Sequence, residues 1–179
     1  MKTETQRSPE LTQLAGLLDG MSIAMMTTRD AANGFASRPM APLLMDADGA
    51  IWFYTDSHSG KTAQLDAINL AFSDEGSAKY VSASGHGELL HDRRRIEELW
   101  TAFAKPWFPE GPQSPNLALL KFVPHSAETW DAPSSRMVRM LAMAASAIAG
   151  KPIGLGDHDT LNNLSRPASH AAPASALTP

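Results

Sequence analysis

Apolar residues recur along this chain mostly in short alternating runs, the period of half-buried strands rather than of long helices. The exception at the start is a helix. Ser8 is placed to cap it with Pro9 at its first position, Leu11, Leu14, Leu17 and Leu18 form one face, and Gly20 ends it. The runs SIAMMTT (22–28), FASRPMAPLLM (35–45) and AIWFYTD (50–56) are separated by the turn pairs Asn33-Gly34 and Asp48-Gly49. They predict three antiparallel strands in a meander. SGKTAQLDAI (59–68) reads as a short helix and INLAFSD (68–74) as a strand. KYVSASGHGELL (79–90) reads as a long strand with Tyr80, Ser82, Ser84, His86 and Glu88 on one face, Gly85 and Gly87 marking a bend or bulge. DRRRIEELWTAF (92–103) predicts a helix capped by Asp92, with Ile96, Leu99, Trp100 and Phe103 aligned, and LALLKFVPHSAETW (117–130) a last strand. The sum is a mainly β fold with peripheral helices, a small closed or split antiparallel barrel of about six strands.

The pattern changes after position 130, beyond which there is no Phe, Trp or Tyr, so the organised core is expected to end near there. SSRMVRMLAMAASAIA (134–149) predicts a helix rich in Ala and Met, with Arg136 and Arg139 on one side and Gly150 as its stop. Beyond it, Pro, Gly, Ser and Ala mix without helical or strand periodicity, the composition of a disordered tail. Residues 1–150 are therefore read as one domain and 151–179 as the tail.

Composition narrows the function classes. With 43% apolar and 19% charged residues in 179, the chain has enough apolar material for one globular core. Lys and Arg number 15 against 19 Asp and Glu, without a long like-charged block, which argues against a nucleic-acid-binding arm. The absence of cysteine excludes disulfides, a thiolate nucleophile, an iron–sulfur cluster and a cysteine zinc site. The polar start MKTETQRSPE and the lack of an apolar run of about 18 residues lead to the expectation of a cytoplasmic protein without a membrane anchor.

Two basic residues carry the clearest candidate chemistry. Gly60-Lys61-Thr62 is not a phosphate loop of the nucleotide-hydrolase type, because the glycine required five positions before Gly60 is Thr55. Lys61 with Ser57, Ser59 and Thr62 at a helix start suits an anion, or makes an ordinary capped surface turn. Arg38, in Ser37-Arg38-Pro39-Met40, offers a fork to a phosphate or lies on the solvated face of an edge strand. The six histidines have no metal-ligand spacing, and Asp46, Asp48 and Gly49 read as a hairpin rather than a calcium loop, so no metal is expected. Neither Ser82 nor Ser84 lies in a nucleophile elbow. Trp107, Phe108 and Trp130 suit a core, an interface, or stacking on a planar ring.

Ser37-Arg38-Pro39-Met40, the hairpin through Asp48-Gly49, and Trp52-Phe53-Tyr54-Thr55 followed by Lys61 resemble the FMN-binding split barrels related to pyridoxamine 5′-phosphate oxidase. Tyr80 to Gly85 with Glu88, the charged helix with Trp100, Trp107-Phe108-Pro109 and Glu128-Thr129-Trp130-Asp131 are similar to the bacterial general stress protein branch. The resemblance covers about Leu11 to Ile148. It implies a six-stranded split barrel that binds FMN, with FAD as a possible substitute, at the interface of a homodimer. By the same resemblance, Arg38, Lys61 and Ser59 hold the phosphate, Pro39 and Met40 lie near the isoalloxazine, and Tyr54 and Thr55 line the ribityl and pyrimidine side. Trp130 and Trp107 would cover the ring from the partner subunit, with Arg136 on the same wall. No side chain receives a catalytic role. The implied reaction is reduction of the flavin by NADH, NADPH or a small reductant, followed by oxidation by another acceptor.

Two departures separate the chain from the oxidases themselves. Their Arg-x-His substrate clamp has no counterpart in DAPSSRMVRMLAMAA after Trp130, and Gly60 stands where they place an arginine. Pyridoxamine 5′-phosphate oxidation is accordingly disfavoured. The expectation is an FMN-dependent oxidoreductase of stress-protein type, with non-catalytic flavin binding or redox sensing as the alternative.

Overall fold

The computed structural model describes residues 1–30, 32, 34–59, 65–131, 146, 157–162 and 164–165. Ser8 caps helix α1 (Pro9–Leu18), its hydroxyl accepting from Leu11 N at 3.2 Å, and Leu11, Leu14 and Leu18 turn into the core. The strands are β1 (Lys2–Thr3), β2 (Ala24–Arg29), β3 (Phe35–Met40), β4 (Pro42–Met45), β5 (Ile51–Asp56), β6 (Ile68–Asp74), β7 (Lys79–Leu90), β8 (Leu117–Asp131) and β9 (Asp157–Asn162). They form one sheet in the order β1-β4-β5-β8-β7-β6-β2-β3, with β9 also paired to β8.

That order closes on itself. β3 ends the sheet at one side and β4 lies near the other, yet only Ala41 separates them in the chain. The sheet therefore curls until its two ends meet, which is the split barrel expected from the sequence. The expected hairpins are present as β2–β3 and β4–β5. Asp46 locks the second of these: its Oδ1 accepts from Asp48 N and Ala50 N at 3.1 and 2.9 Å, and its Oδ2 from Trp52 Nε1 at 2.8 Å. Both carboxylate oxygens thus serve the turn.

The strand count exceeds the expected six for three local reasons. The run 35–45 divides at Ala41, β1 adds a two-residue parallel pairing to β4, and β9 forms inside the stretch read as a tail. The last is a correction to that reading. β5 occupies β8 only over Leu117–Phe122, and β9 pairs over Ser126–Asp131 farther along, burying Leu161 and Leu164. Backbone pairing supplies what a segment with few apolar residues does not advertise.

Two apolar clusters result. Met26, Met45, Ile51, Phe53, Leu70, Phe72, Val81 and Phe122 fill the barrel beneath α1. Leu44, Trp52, Leu117 and Leu119 pack on its outside against Ile96 and Leu99 of helix α2 (Arg93–Leu99) and against Phe108. β5 is thus covered on both faces, which accounts for its unbroken apolar run. Asp92 caps α2 as expected, its Oδ1 accepting from Arg95 N at 3.1 Å. The helix is shorter than the sequence suggests, because Trp100 leaves the helical conformation and lays its ring 5.7 Å from Tyr54. Phe103 then falls in a 3-10 turn and stays 65% exposed.

The predicted bulge is real: Ser84 pairs with Ser126 but Gly85 with Pro124, skipping His125. A Cβ at Gly85 would lie 2.1 Å from Val123 O, so the close approach of the two backbones requires glycine. Of the helix expected at 59–68, residues 60–64 lie outside the described residues and 65–67 are not helical. The helix expected at 134–149, including Arg136 and Arg139, lies outside them apart from Ser146. Among the described residues no helix is long and apolar enough to cross a membrane.

Candidate functional site

Among the described residues β3 pairs with β2 alone, and a proline such as Pro39 is tolerated on such an edge strand. Alternation then separates the motif Arg38-Pro39-Met40 between two environments. Arg38 and Met40 lie opposite Met26 and Ala24 on the interior face, whereas Pro39 lies opposite Met25 on the exposed face.

Arg38 turns inward at the end of the barrel core. Its Nη2 donates to Thr28 Oγ1 at 2.9 Å and to Ala36 O at 3.4 Å. Its Nη1 is buried and has no hydrogen-bond partner among the described residues. A buried cationic nitrogen without an acceptor is costly, and an anion bound there would remove that cost. Thr55 adds a second orphaned polar atom, since its hydroxyl oxygen is buried without a partner among the described residues. Pro42 lies opposite Phe53, with Met40 two residues before the one and Thr55 two residues after the other. The Arg38–Met40 end of β3 and the far end of β5 thus leave the same crossing of the barrel.

Beyond Thr55 the chain turns on Asp56. Its Oδ1 accepts from His58 N at 2.8 Å, its Oδ2 from Asn116 Nδ2 at 2.8 Å, and its carbonyl from Ser59 Oγ at 2.7 Å. Ser57 N donates to Asn116 O at 2.9 Å, fastening the corner to the start of β8. Ser59 is fixed there, two residues before Lys61, which itself lies outside the described residues.

The remaining predicted site residues lie elsewhere. Tyr54 faces α2: its hydroxyl donates to Ile96 O at 3.2 Å, and its ring packs against Trp100 and, edge-on at 6.4 Å, Phe108. Burial pushes its phenol up to about 12. Trp130 lies opposite Tyr80 on the outer face, and Met25 and Pro39 share that face. Trp107, in the segment after α2, is 64% exposed and packs at a tilt against Phe103, with ring centroids 5.6 Å apart. The structure therefore puts Arg38, Met40 and Thr55 on the interior faces of their strands, with Ser59 in the turn that follows β5, and places Pro39 and Trp130 on the exposed sheet face. Tyr54 and Trp107 belong to the α2 side.

Sequence reasoning missed Thr28, Asp56 and Asn116. Thr28 had a signal in the alternation Ala24, Met26, Thr28, which puts its hydroxyl on the buried face and so calls for a partner. An open groove of about 330 Å³ runs beside it, lined by Thr28, Arg29, Phe35, Asn69, Ser84 and His125. Among the described residues there is no group of three or more side chains suited to hold a metal.

Solved structures with this architecture are known. A provisionally assigned general stress protein 26 from Jannaschia sp. CCS1 superposes with a TM-score of 0.66 at 26% identity, covering 84% of this chain and 99% of that one. The general stress FMN/FAD binding protein of Xanthomonas citri gives 0.60 at 28% identity, covering 72% and 93%. A pyridoxamine 5′-phosphate oxidase-related, FMN binding protein of Nostoc punctiforme PCC 73102 shares the fold at 13% identity, with a TM-score of 0.55 over 88% and 98%. None of the curated proteins matches the chain. The family model described as pyridoxamine 5′-phosphate oxidase like matches residues 9–153, a span that takes in every strand from β2 to β8. With this match over most of the chain and the split-barrel strand order beside it, the chain belongs to the pyridoxamine 5′-phosphate oxidase-like family.

Proposed function

We propose that the protein is an FMN-binding oxidoreductase of general stress protein type that works on a small molecule as a homodimer. The observation that carries this reading is Arg38 Nη1, a buried cationic nitrogen without an acceptor among the described residues. A phosphate monoester supplies the acceptor oxygens and charge that this atom needs. Among the described residues Arg38 fits the group: it would hold the phosphate together with Lys61, Ser59 and Thr55 would add hydroxyls, and Met40, on the same face of β3 as Arg38, would border the ring, with Pro39 at its outer edge. The likeness to the Xanthomonas citri FMN/FAD binding protein supports the same assignment, with FAD the alternative flavin.

FMN, when bound, supplies reversible acceptance of two electrons, from NADH, NADPH or another small reductant. The chain's own contribution is to bind and orient it and to keep its phosphate charge-balanced. Trp130 and Tyr80 on the exposed sheet face, and Trp107 on the α2 side, suit burial against a second copy of the chain. Pyridoxamine 5′-phosphate oxidation is not proposed, because the segment after Trp130 has no Arg-x-His clamp.

The deciding experiment loads the purified protein with FMN, removes the excess and records the visible spectrum. A retained flavin band, lost in Arg38→Ala, is expected; no band in the wild type overturns the proposal. Steady NADH or NADPH consumption with an added acceptor then separates an enzyme from a protein that binds flavin without turnover.

A further inference from the structure

Arg38 does not set its own orientation. The β2–β3 register pairs Thr28 with Ala36, which makes Arg38, two residues on, the diagonal neighbour of Thr28 on the interior face. Both acceptors that Arg38 finds among the described residues, Thr28 Oγ1 and Ala36 O, are taken by Nη2. A guanidinium is planar, so fixing one terminal nitrogen restricts the direction in which the other points. That other nitrogen is Nη1, the buried atom with no partner among the described residues. Thr28 is only 2% exposed, so solvent does not readily replace its hydroxyl. The two preceding residues on the same face, Ala24 and Met26, are apolar and offer Arg38 nothing.

We infer that Thr28 is a positioning residue that sets specificity for a phosphorylated flavin, by holding Arg38 Nη2 so that Nη1 meets the phosphate. The inference rests on the flavin phosphate reading given above. Without the hydroxyl the guanidinium keeps its charge but loses its preset direction, and ordering it on binding then weakens affinity. Only ligands that carry the phosphate should register the loss.

The test measures FMN and riboflavin binding separately, by quenching of flavin fluorescence, on the full-length wild type and on Thr28→Val, Thr28→Ser, Arg38→Ala and Arg38→Ala/Thr28→Val. Thr28→Val should weaken FMN binding about fivefold to tenfold and leave riboflavin binding unchanged. Thr28→Ser, which restores the hydroxyl, should recover FMN affinity. In the Arg38→Ala background, Thr28→Val should add no further loss. Thr28→Ala gives the same comparison if valine crowds the site. Equal losses for both flavins, failure of serine to rescue, or a loss that persists without Arg38 would each overturn the role of Thr28 while leaving phosphate binding intact. A wild type that binds FMN no better than riboflavin removes the phosphate reading and the inference with it.

Discussion

Trp130 on β8 and Tyr80 on β7 face each other across the ladder, and both rings remain at least 40% exposed on the outer sheet face. Met25, 41% exposed, lies on the same face. Large aromatics are the usual anchors of interfaces, where truncation of a central one costs about 2 kcal/mol or more. Trp130→Ala should therefore shift the protein toward monomer and reduce flavin retention together. Light scattering after size exclusion, read beside the flavin absorbance of the same peak, checks both. A dimer that persists with full flavin content shows that Trp130 takes no part in either.

Lys61→Ala tests the second cation. Removing a charge-assisted contact to phosphate should weaken FMN binding by roughly 1.5–3 kcal/mol, about tenfold or more, and leave riboflavin binding nearly unchanged. Raising the salt concentration should reduce the difference between wild type and variant, since part of the contribution is screened Coulomb attraction. Equal affinity in the two proteins would place the phosphate away from Lys61.

Tyr54 gives a prediction in pH. Its phenol, raised by burial from the ordinary value of 10 to about 12, stays protonated in the folded protein at pH values where the unfolded chain has already ionised. A folded value above the unfolded one means stability that is fully present below pH 10 and is lost as pH rises through about 12. Melting temperatures of the wild type should fall over that window, and Tyr54→Phe should fall less steeply. At neutral pH the same variant loses the bond to Ile96 O, at a cost of about 1 kcal/mol.

The same tyrosine shows where the sequence stops being informative. β6 and β7 occupy the expected segments 68–74 and 79–90 because their alternation separates a buried from an exposed face. In β5 both faces are buried, so alternation does not reveal which apolar cluster receives Tyr54, and its ring lies against α2. The break at Ala41 was hidden for a related reason: an apolar run reads as one strand until ring closure demands a corner. Arg38 was legible as a charge inside a strand, which needs a partner. Its dependence on Thr28 was not, because a diagonal contact requires the β2–β3 register.

The bulge at Gly85 predicts a large effect from the smallest substitution. Gly85→Ala would drive a methyl group into Val123 O and against Phe122, both fixed by the β7–β8 ladder. Relief requires separating two backbones at the middle of the sheet. The expected loss is about 3 kcal/mol, read as a lowered midpoint in urea with little change in slope. A neutral result would mean that the bulge opens without cost.

β9 makes the final stretch of the chain testable. A tail that packs on nothing is removable without effect, but Leu161 and Leu164 are buried in the barrel core and β9 pairs with β8 over six residues. Burying a leucine contributes about 1.5–3 kcal/mol, and truncation also uncovers the edge of β8 at Ser126–Asp131. A chain ending before residue 157 should therefore melt lower and aggregate more readily than the full-length protein. Leu161→Ala should reproduce part of the destabilisation without exposing the edge, which separates the two contributions: lost core packing lowers the melting temperature in both variants, whereas exposed strand pairing raises aggregation only in the truncated chain.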